Sequence, residues 1–226
     1  MTTILITGTN RGIGLELAKQ ALAKGWTVYG SARTVVTDPD AHICDHPQFH
    51  ELTFDVTDHG AVRAAAAGIT EPIDILINNA GIIGPERQST LDMDFEGFAG
   101  TFAINTLAPL AVSQAFLPHL KRSTNPRILT VSSSMGRMSY AKSDRIAYRA
   151  SKAAVNKVMQ GLATDLEPMG IAVVMLHPGW VRTDMGGAGA DIAPAESAAG
   201  ILAVAEGLTL EGTGQFLNWD GSTVEW

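Results

Sequence analysis

The sequence predicts an α/β fold, a doubly wound parallel sheet of about seven strands with helices on both faces. Three observations predict it. Short and nearly uninterrupted apolar runs recur along the chain, helical stretches separate them, and no repeat, low-complexity tract or Pro/Ser-rich linker divides it. An apolar run without alternation is what a strand covered on both faces requires.

Residues 4–6 (Ile-Leu-Ile) are the first strand and lead into a glycine-rich turn and a helix over 8–24. Residues 26–31 and 51–54 are the next two strands. Asp58 is an acidic cap on a helix over 58–67. Residues 73–77 are a strand without a polar position except Asp74. Residues 95–120 read as one long helix, with Pro109 as the place where it would kink. A strand over 127–131, a helix over 148–168, a strand over 171–176, a helix near 195–207 and a short strand over 215–217 complete the pattern. Right-handed crossovers leave few topologies for this order, and ligands in such sheets sit at the carboxyl ends of the strands. The chemistry should therefore lie just after each apolar run.

The 226 residues are expected to form one domain, 1–226. Net charge is -7 and no basic stripe occurs, which makes nucleic acid and anionic membranes poor partners. With Cys44 as the single cysteine, no disulfide can form within the chain. No apolar run reaches the roughly 18 residues of a membrane span, and the first residues lack the features of a signal peptide. A cytoplasmic protein is the expectation.

After the first strand comes Thr7-Gly8-Thr9-Asn10-Arg11-Gly12-Ile13-Gly14, opening a helix. Glycines allow a tight turn and close approach to an anion, and the exposed N–H groups with the helix dipole favour a phosphate. A phosphate loop of the Walker type would end in Gly-Lys-Ser/Thr, and Ile13-Gly14-Leu15 does not. Dinucleotide folds read the adenosine ribose about 20 residues further on, where an acid selects a free 2′-hydroxyl and an arginine a 2′-phosphate. Here the second strand ends at Arg33, no acid follows until Asp38, and Arg11 adds a second cation. Together they favour NADP, although either arginine alone fits a solvated surface position. Asp55 and Val56 end the third strand, where a carboxylate could accept from an adenine amino group. Asn78-Asn79-Ala80-Gly81 ends the fourth, and its small residues would let a ring or ribose lie against the backbone. Ordinary turn chemistry explains each equally well.

Tyr148 and Lys152 lie four apart on one helix and so share a face. A lysine ammonium beside a phenol favours phenolate, so the spacing predicts a Tyr148 pKa below about 10, suited to a general acid/base. Ser132-Ser133-Ser134-Met135-Gly136 follows the strand over 127–131 and brings a hydroxyl to the sheet edge, unless it is only a serine-rich turn. Asn105 is a mediocre helix former inside the long helix; it either holds a water or faces solvent.

This ordered set resembles the short-chain dehydrogenase/reductase family over essentially the whole chain. The stretch Leu176-His-Pro-Gly-Trp-Val-Arg-Thr-Asp-Met-Gly-Gly187 and the ending from Gln215 to Trp226 look most like its C-factor-like branch. The resemblance implies a three-layer Rossmann fold and an NADP-dependent oxidoreductase that interconverts a carbonyl compound and its alcohol. It implies Tyr148 as general acid/base, Lys152 on the nicotinamide ribose, a serine on the substrate oxygen and Asn105 on a relay water. Alignment of Val-Ser-Ser-x-x-Gly points to Ser133, with Ser134 the fallback. Gly8, Thr9, Asn10, Arg11, Gly12, Ile13 and Gly14 would hold the pyrophosphate and adenosine ribose, with Arg11 and Arg33 on the NADP side. Asp55 and Val56 would flank adenine, Asn79, Ala80 and Gly81 the ribose, and Pro178, Gly179, Val181 and Thr183 the nicotinamide end. A homodimer or homotetramer through the two long helices is implied in the same way.

The segment after Thr183 is short and glycine-rich where larger relatives carry a lid, which suggests an open or mobile pocket. Ile82, Ile83, Met135, Met138, Tyr140, Trp180 and Met185 are its candidate lining and suit a small or hydrophobic carbonyl compound. His42, Cys44, His46 and His50 have spacings that could gather a metal, but Pro47 interrupts any helix there, so loop histidines and no metal are expected. The alternative function is a dinucleotide-binding sensor or signalling protein with little turnover. The intact Ser133, Tyr148, Lys152 and Asn105 set argues for the enzyme.

Overall fold

The computed structural model describes residues 1–33 and 43–226. His42 and Asp38, named above, lie outside the described residues. Among these residues seven strands form one parallel sheet: β1 (Thr3–Thr7), β2 (Thr27–Ala32), β3 (Phe49–Thr53), β4 (Ile75–Asn78), then, past the two strands of a small hairpin, β7 (Arg127–Val131), β8 (Ala172–His177) and β9 (Phe216–Asn218). Their spatial order is β3-β2-β1-β4-β7-β8-β9. The chain winds outward from β1 to β3, then returns to pair β4 with the other edge of β1, Ile4 opposite Ile75. That reversal opens a crevice beyond the carboxyl ends of β1 and β4, the usual ligand position in such sheets.

Both faces are covered, which is why the strands need no polar alternation. Helices α1 (Gly12–Ala23) and α6 (Pro194–Gly207) cover one face, packing Leu17, Ala18, Ile201 and Leu202 on Ile4, Ile6, Val28 and Val174. Helices α2 (His59–Ala67), α4 (Ala108–Leu120) and α5 (Ile146–Leu166) cover the other, packing Val62, Phe116 and Met159 on Leu5, Leu76 and Val173. The expected acidic cap is present: the Asp58 carboxylate accepts from Gly60 N and Ala61 N, satisfying two of the helix's unpaired donors.

The long helix differs from expectation. Residues 95–120 are α3 (Phe95–Phe102), a π-helical turn over Ala103–Leu107, and then α4. The irregularity comes before Pro109, which sits in the first turn of α4, where its missing N–H is tolerated. The π turn is closed by Ala108 N donating to Ala103 O, and Pro109 has no N–H to give to Asn105 O. By length and composition Phe95–Leu120 could cross a membrane. Here Val112, Phe116 and Leu120 are buried against the sheet instead. A two-stranded hairpin, β5 (Gln88–Ser89) and β6 (Asp92–Met93), has no counterpart in the sequence reading.

Candidate active site

The glycine turn is fixed by its neighbours on both sides. Gly8 N and Thr9 N donate to Ser31 O at 2.7 and 3.0 Å. Asn79 Nδ2 donates to Thr7 O and Gly8 O, while Thr7 Oγ1 accepts from Asn79 N and Ala80 N. Gly8 and Gly12 have φ of 77° and 58°, which favours glycine. A methyl on Gly14 would lie 2.0 Å from Gly8 O. The first N–H groups of α1 have no intrahelical acceptor, the N-cap Arg11 supplies none from its side chain, and the first turn carries no acid. Ser31 Oγ and Asn78 Oδ1, at the carboxyl ends of β2 and β4, are buried without a hydrogen-bond partner. A glycine cradle, an uncapped helix start and orphaned polar atoms beside it fit a bound dinucleotide.

The other expected contacts converge there in part. Thr183 packs on the turn, its Cγ2 lying 3.3 Å from where a Gly12 Cβ would be. Val56 shares a narrow cleft with Thr7, Asn78 and Ala80. Asp55 has one oxygen committed to Thr57 N and Oγ1; these bonds, helped by the Arg33 charge, lower its pKa. Arg33 is exposed at the end of β2. Arg11 forms an ion pair with Asp184, joining the glycine turn to the short lid. The lid is tied to itself: Arg182 N donates to Ile192 O, Ile192 N to Trp180 O, and the Arg182 side chain to Ala190 O and Asp191 O. It is short, as expected, but bonded at several points. Pro178 O accepts from Ser197 Oγ, Gly179 has φ 83° and Val181 is buried.

The serine turn reaches α5 because residue 136 is glycine: a Cβ there would lie 2.7 Å from the Lys152 carbonyl carbon. Ser133 is the cap of this turn, accepting from Met135 N at 3.1 Å, and its hydroxyl acts on the Tyr148 phenol to lower its pKa. Ser134 turns instead to His177, Oγ to Nε2 at 3.3 Å, and burial pushes the His177 pKa down to about 4. Ser132 is committed to Asn156 Oδ1.

Tyr148 is 8% exposed. Its phenol pKa is raised, not lowered: desolvation dominates, opposed by the Ser133 hydroxyl and the Arg145 charge. The expectation from Lys152 is thereby corrected. Lys152 is itself buried and pushed down to about 8, its Nζ donates to Val131 O at 2.8 Å, and it stands 5.7 Å from the centre of the phenol ring. Asn105 does not face solvent. It is buried in the π turn, grips Ile82 through both N–H and C=O, and donates to Ser151 Oγ. Of the candidate lining, Met138, Tyr140, Trp180 and Met185 are exposed, so the mouth is open. Among the described residues no three His, Cys, Asp or Glu side chains gather as a metal site. Cys44 is exposed, the His46 ring accepts from Gln48 N, and His50 stacks on Tyr29.

Two residues that hold this site carry no sequence signal. Arg149 is buried; it donates to Asp144 O and Oδ1 at 2.8 Å each and to Met135 O at 3.4 Å, beneath the Tyr140 ring. Gln88, on β5, accepts from Tyr148 N. Both act across loops that motif spacing does not describe.

A profile of the short chain dehydrogenase family matches residues 2–191. The chain belongs to that family. As a short-chain dehydrogenase it is 44% identical over 168 residues to the C-signal of Myxococcus xanthus, a match spanning 73% of this chain and 100% of that protein. Among solved structures it is similar to the NADPH-bound carbonyl reductase from chicken fatty liver, with TM-score 0.92, 32% identity and coverage of 100% of this chain and 99% of that one. It is also similar to the carbonyl reductase Sniffer of D. melanogaster, with TM-score 0.93, 31% identity and both chains covered at 100%. This short-chain dehydrogenase is an NAD(P)-dependent oxidoreductase with the Rossmann fold of those neighbours.

Proposed function

We propose that the protein is an NADPH-dependent reductase of aldehydes or ketones, with Tyr148 as the acid. The observation that carries this reading is the buried Tyr148 phenol, with Lys152 one helical turn on and its Nζ 5.7 Å from the phenol ring centre. Arg33 at the end of β2 and the lack of an acid before Asp38 support NADPH over NADH. The NADPH in the chicken carbonyl reductase supports it too.

When bound, the dinucleotide supplies the hydride that the carbonyl carbon takes up. The glycine turn and the start of α1 hold its phosphates, and Asn79 to Gly81 line its ribose. Ser133 donates a hydrogen bond to the substrate oxygen. Tyr148 gives that oxygen its phenolic proton, so carbonyl, hydride and proton together make the alcohol. A phenol held above its ordinary value stays protonated at neutral pH, which suits the reducing direction. Lys152 keeps one N–H on Val131 O and has others for the ribose hydroxyls, and its charge stabilises the phenolate that forms. Water then returns the proton. The Asn105 side chain is fully engaged with Ile82 and Ser151, so its backbone carbonyl is the group left to hold a relay water. The open, apolar mouth of Met138, Trp180 and Met185 suits a hydrophobic carbonyl compound.

The test is NADPH and NADH oxidation across aldehydes, ketones and diketones, with Tyr148→Phe beside the wild type. Turnover with NADPH that falls about a hundredfold or more in the variant supports the reading. Tight NADPH binding without turnover favours the alternative, a dinucleotide-binding signalling protein, which the similarity to C-signal brings forward. Pairing of two copies through the long helices belongs to the same reading. The exposed Phe95 and Leu107 support it, and sedimentation would test it.

A further inference from the structure

Helix α5 begins without a cap of its own. Its N-cap is Arg145, which makes no side-chain capping bond and, among the described residues, is the one non-glycine with positive φ, 51°. Arginine has no acceptor to offer, so the first N–H groups of the helix need partners from elsewhere. Tyr148 is the third residue of this helix. Its N–H donates to Gln88 Oε1 at 3.1 Å, across 60 residues of sequence.

Gln88 is 7% exposed. Its Nε2 donates to Ile83 O at 3.1 Å and to Pro85 O at 2.7 Å. Both carbonyls lie in the segment that continues from Asn79-Ala80-Gly81. Ile82, in the same segment, is gripped by Asn105. One buried amide thus joins the start of the tyrosine helix to the wall that follows β4. A buried amide has both its acceptor and its donors engaged here, and removing it would strand three backbone groups.

We propose that Gln88 is a positioning residue for Tyr148: it supplies the missing cap of α5 and fixes the phenol against the 82–85 segment. The consequence for turnover rests on the reading of Tyr148 as the acid; the placement of the side chain does not. A misplacement on the scale of 1 Å costs about a hundredfold in rate, while the glycine turn read as holding the dinucleotide phosphates has no hydrogen bond to Gln88.

The test combines kinetics with 13C NMR of tyrosine labelled at Cζ, since the chain has 3 tyrosines, Tyr29, Tyr140 and Tyr148. The Tyr148→Phe variant assigns the signal. Gln88→Leu should lower kcat at least about tenfold for benzaldehyde or 2,3-butanedione, with NADPH Kd within about twofold of wild type. It should also let water reach the phenol, moving the Tyr148 titration midpoint downward while Tyr29 and Tyr140 keep theirs. Gln88→Glu keeps the acceptor for Tyr148 N but gives up the donors to Ile83 O and Pro85 O, so its Tyr148 midpoint should stay at or above the wild-type value and its kcat should fall between those of wild type and Gln88→Leu. An unchanged Tyr148 midpoint in Gln88→Leu overturns the proposal, as does a glutamate variant no better than leucine. If Gln88→Leu fails to fold, the glutamate comparison with wild type decides alone: a lowered Tyr148 midpoint there refutes the placement. If Tyr148→Phe turns over normally, the acid assignment fails, and the NMR midpoints still report whether Gln88 places the phenol.

Discussion

Replacing Gly14 by alanine sets two effects of opposite sign against each other. Gly14 lies within α1, where alanine is favoured over glycine by about 1 kcal/mol on propensity alone. The new methyl would lie 2.0 Å from Gly8 O and 2.5 Å from Asn79 Nδ2. Ordinary contact is near 3.5 Å, so the turn must withdraw by about 1 Å or more. That movement strains or breaks the Asn79 bonds to Thr7 O and Gly8 O, worth about 1 kcal/mol each. Overpacking adds about 1–3 kcal/mol. The net expectation is a loss of about 2 kcal/mol, or roughly 4–8 °C in Tm for a chain of this size. NADPH Kd should rise at least about tenfold, because the displaced atoms are the cradle itself. Gly161→Ala is the control: it is also helical, but a Cβ there meets nothing within 4 Å. That variant should gain about 2–4 °C. Thermal melts and fluorescence titration with NADPH measure both. A Gly14→Ala protein that melts higher, as Gly161→Ala does, and binds NADPH normally would refute the steric argument.

Three further outcomes are expected. The folded protein holds Lys152 near 8, below its usual 10.5, so between those values the unfolded chain binds the proton and the folded one does not. Stability then rises with pH. The stability difference between wild type and Lys152→Met, from urea unfolding, should grow from pH 7 to 9.5 by on the order of 2 kcal/mol; a flat difference contradicts the burial of a depressed lysine. Arg149→Met frees Met135 O and the Asp144 carboxylate. It should cost about 2 kcal/mol and lower kcat, read by calorimetry and NADPH oxidation. Arg33→Ala should weaken NADPH about tenfold or more and leave NADH unchanged, measured by titration with each; equal losses for both would remove Arg33 from the 2′-phosphate.

The strands were legible because each is buried on both faces, and so each reads as a continuous apolar run: Ile4 to Ile6, Ile75 to Ile77 and Val173 to Leu176 all have the same cause. The motif positions followed, since the carboxyl ends of strands in a wound sheet converge. What the spacing did not reveal depends on distant packing. Tyr148 and Lys152 share a helical face as expected, yet burial sets the direction of the phenol shift and turns Lys152 toward Val131. The π turn just before Pro109 was not legible: Pro109 marked a place for a kink, but the docking of Asn105 on Ile82 and of Thr106 on Ser151 joins residues 23 and 45 positions apart. Arg11 was read for a phosphate; in this structure its partner is Asp184, 173 residues away. Gln88 looks like any surface amide until β5 is placed against α5.

The strand order has a consequence for biosynthesis. Of the sheet's strands, β1 and β2 are the first to be synthesised and are neighbours in the sheet, and β3, made next, lies on the free edge of β2. The other edge of β1 waits for β4, whose Ile75 follows its partner Ile4 by about seventy residues, an interval in which that edge is open to wrong pairing. From there β7, β8 and β9 each dock on the strand made before them. Among the described strands none has to be threaded between two already in place, so this sheet of non-local contacts can grow outward in the order of synthesis.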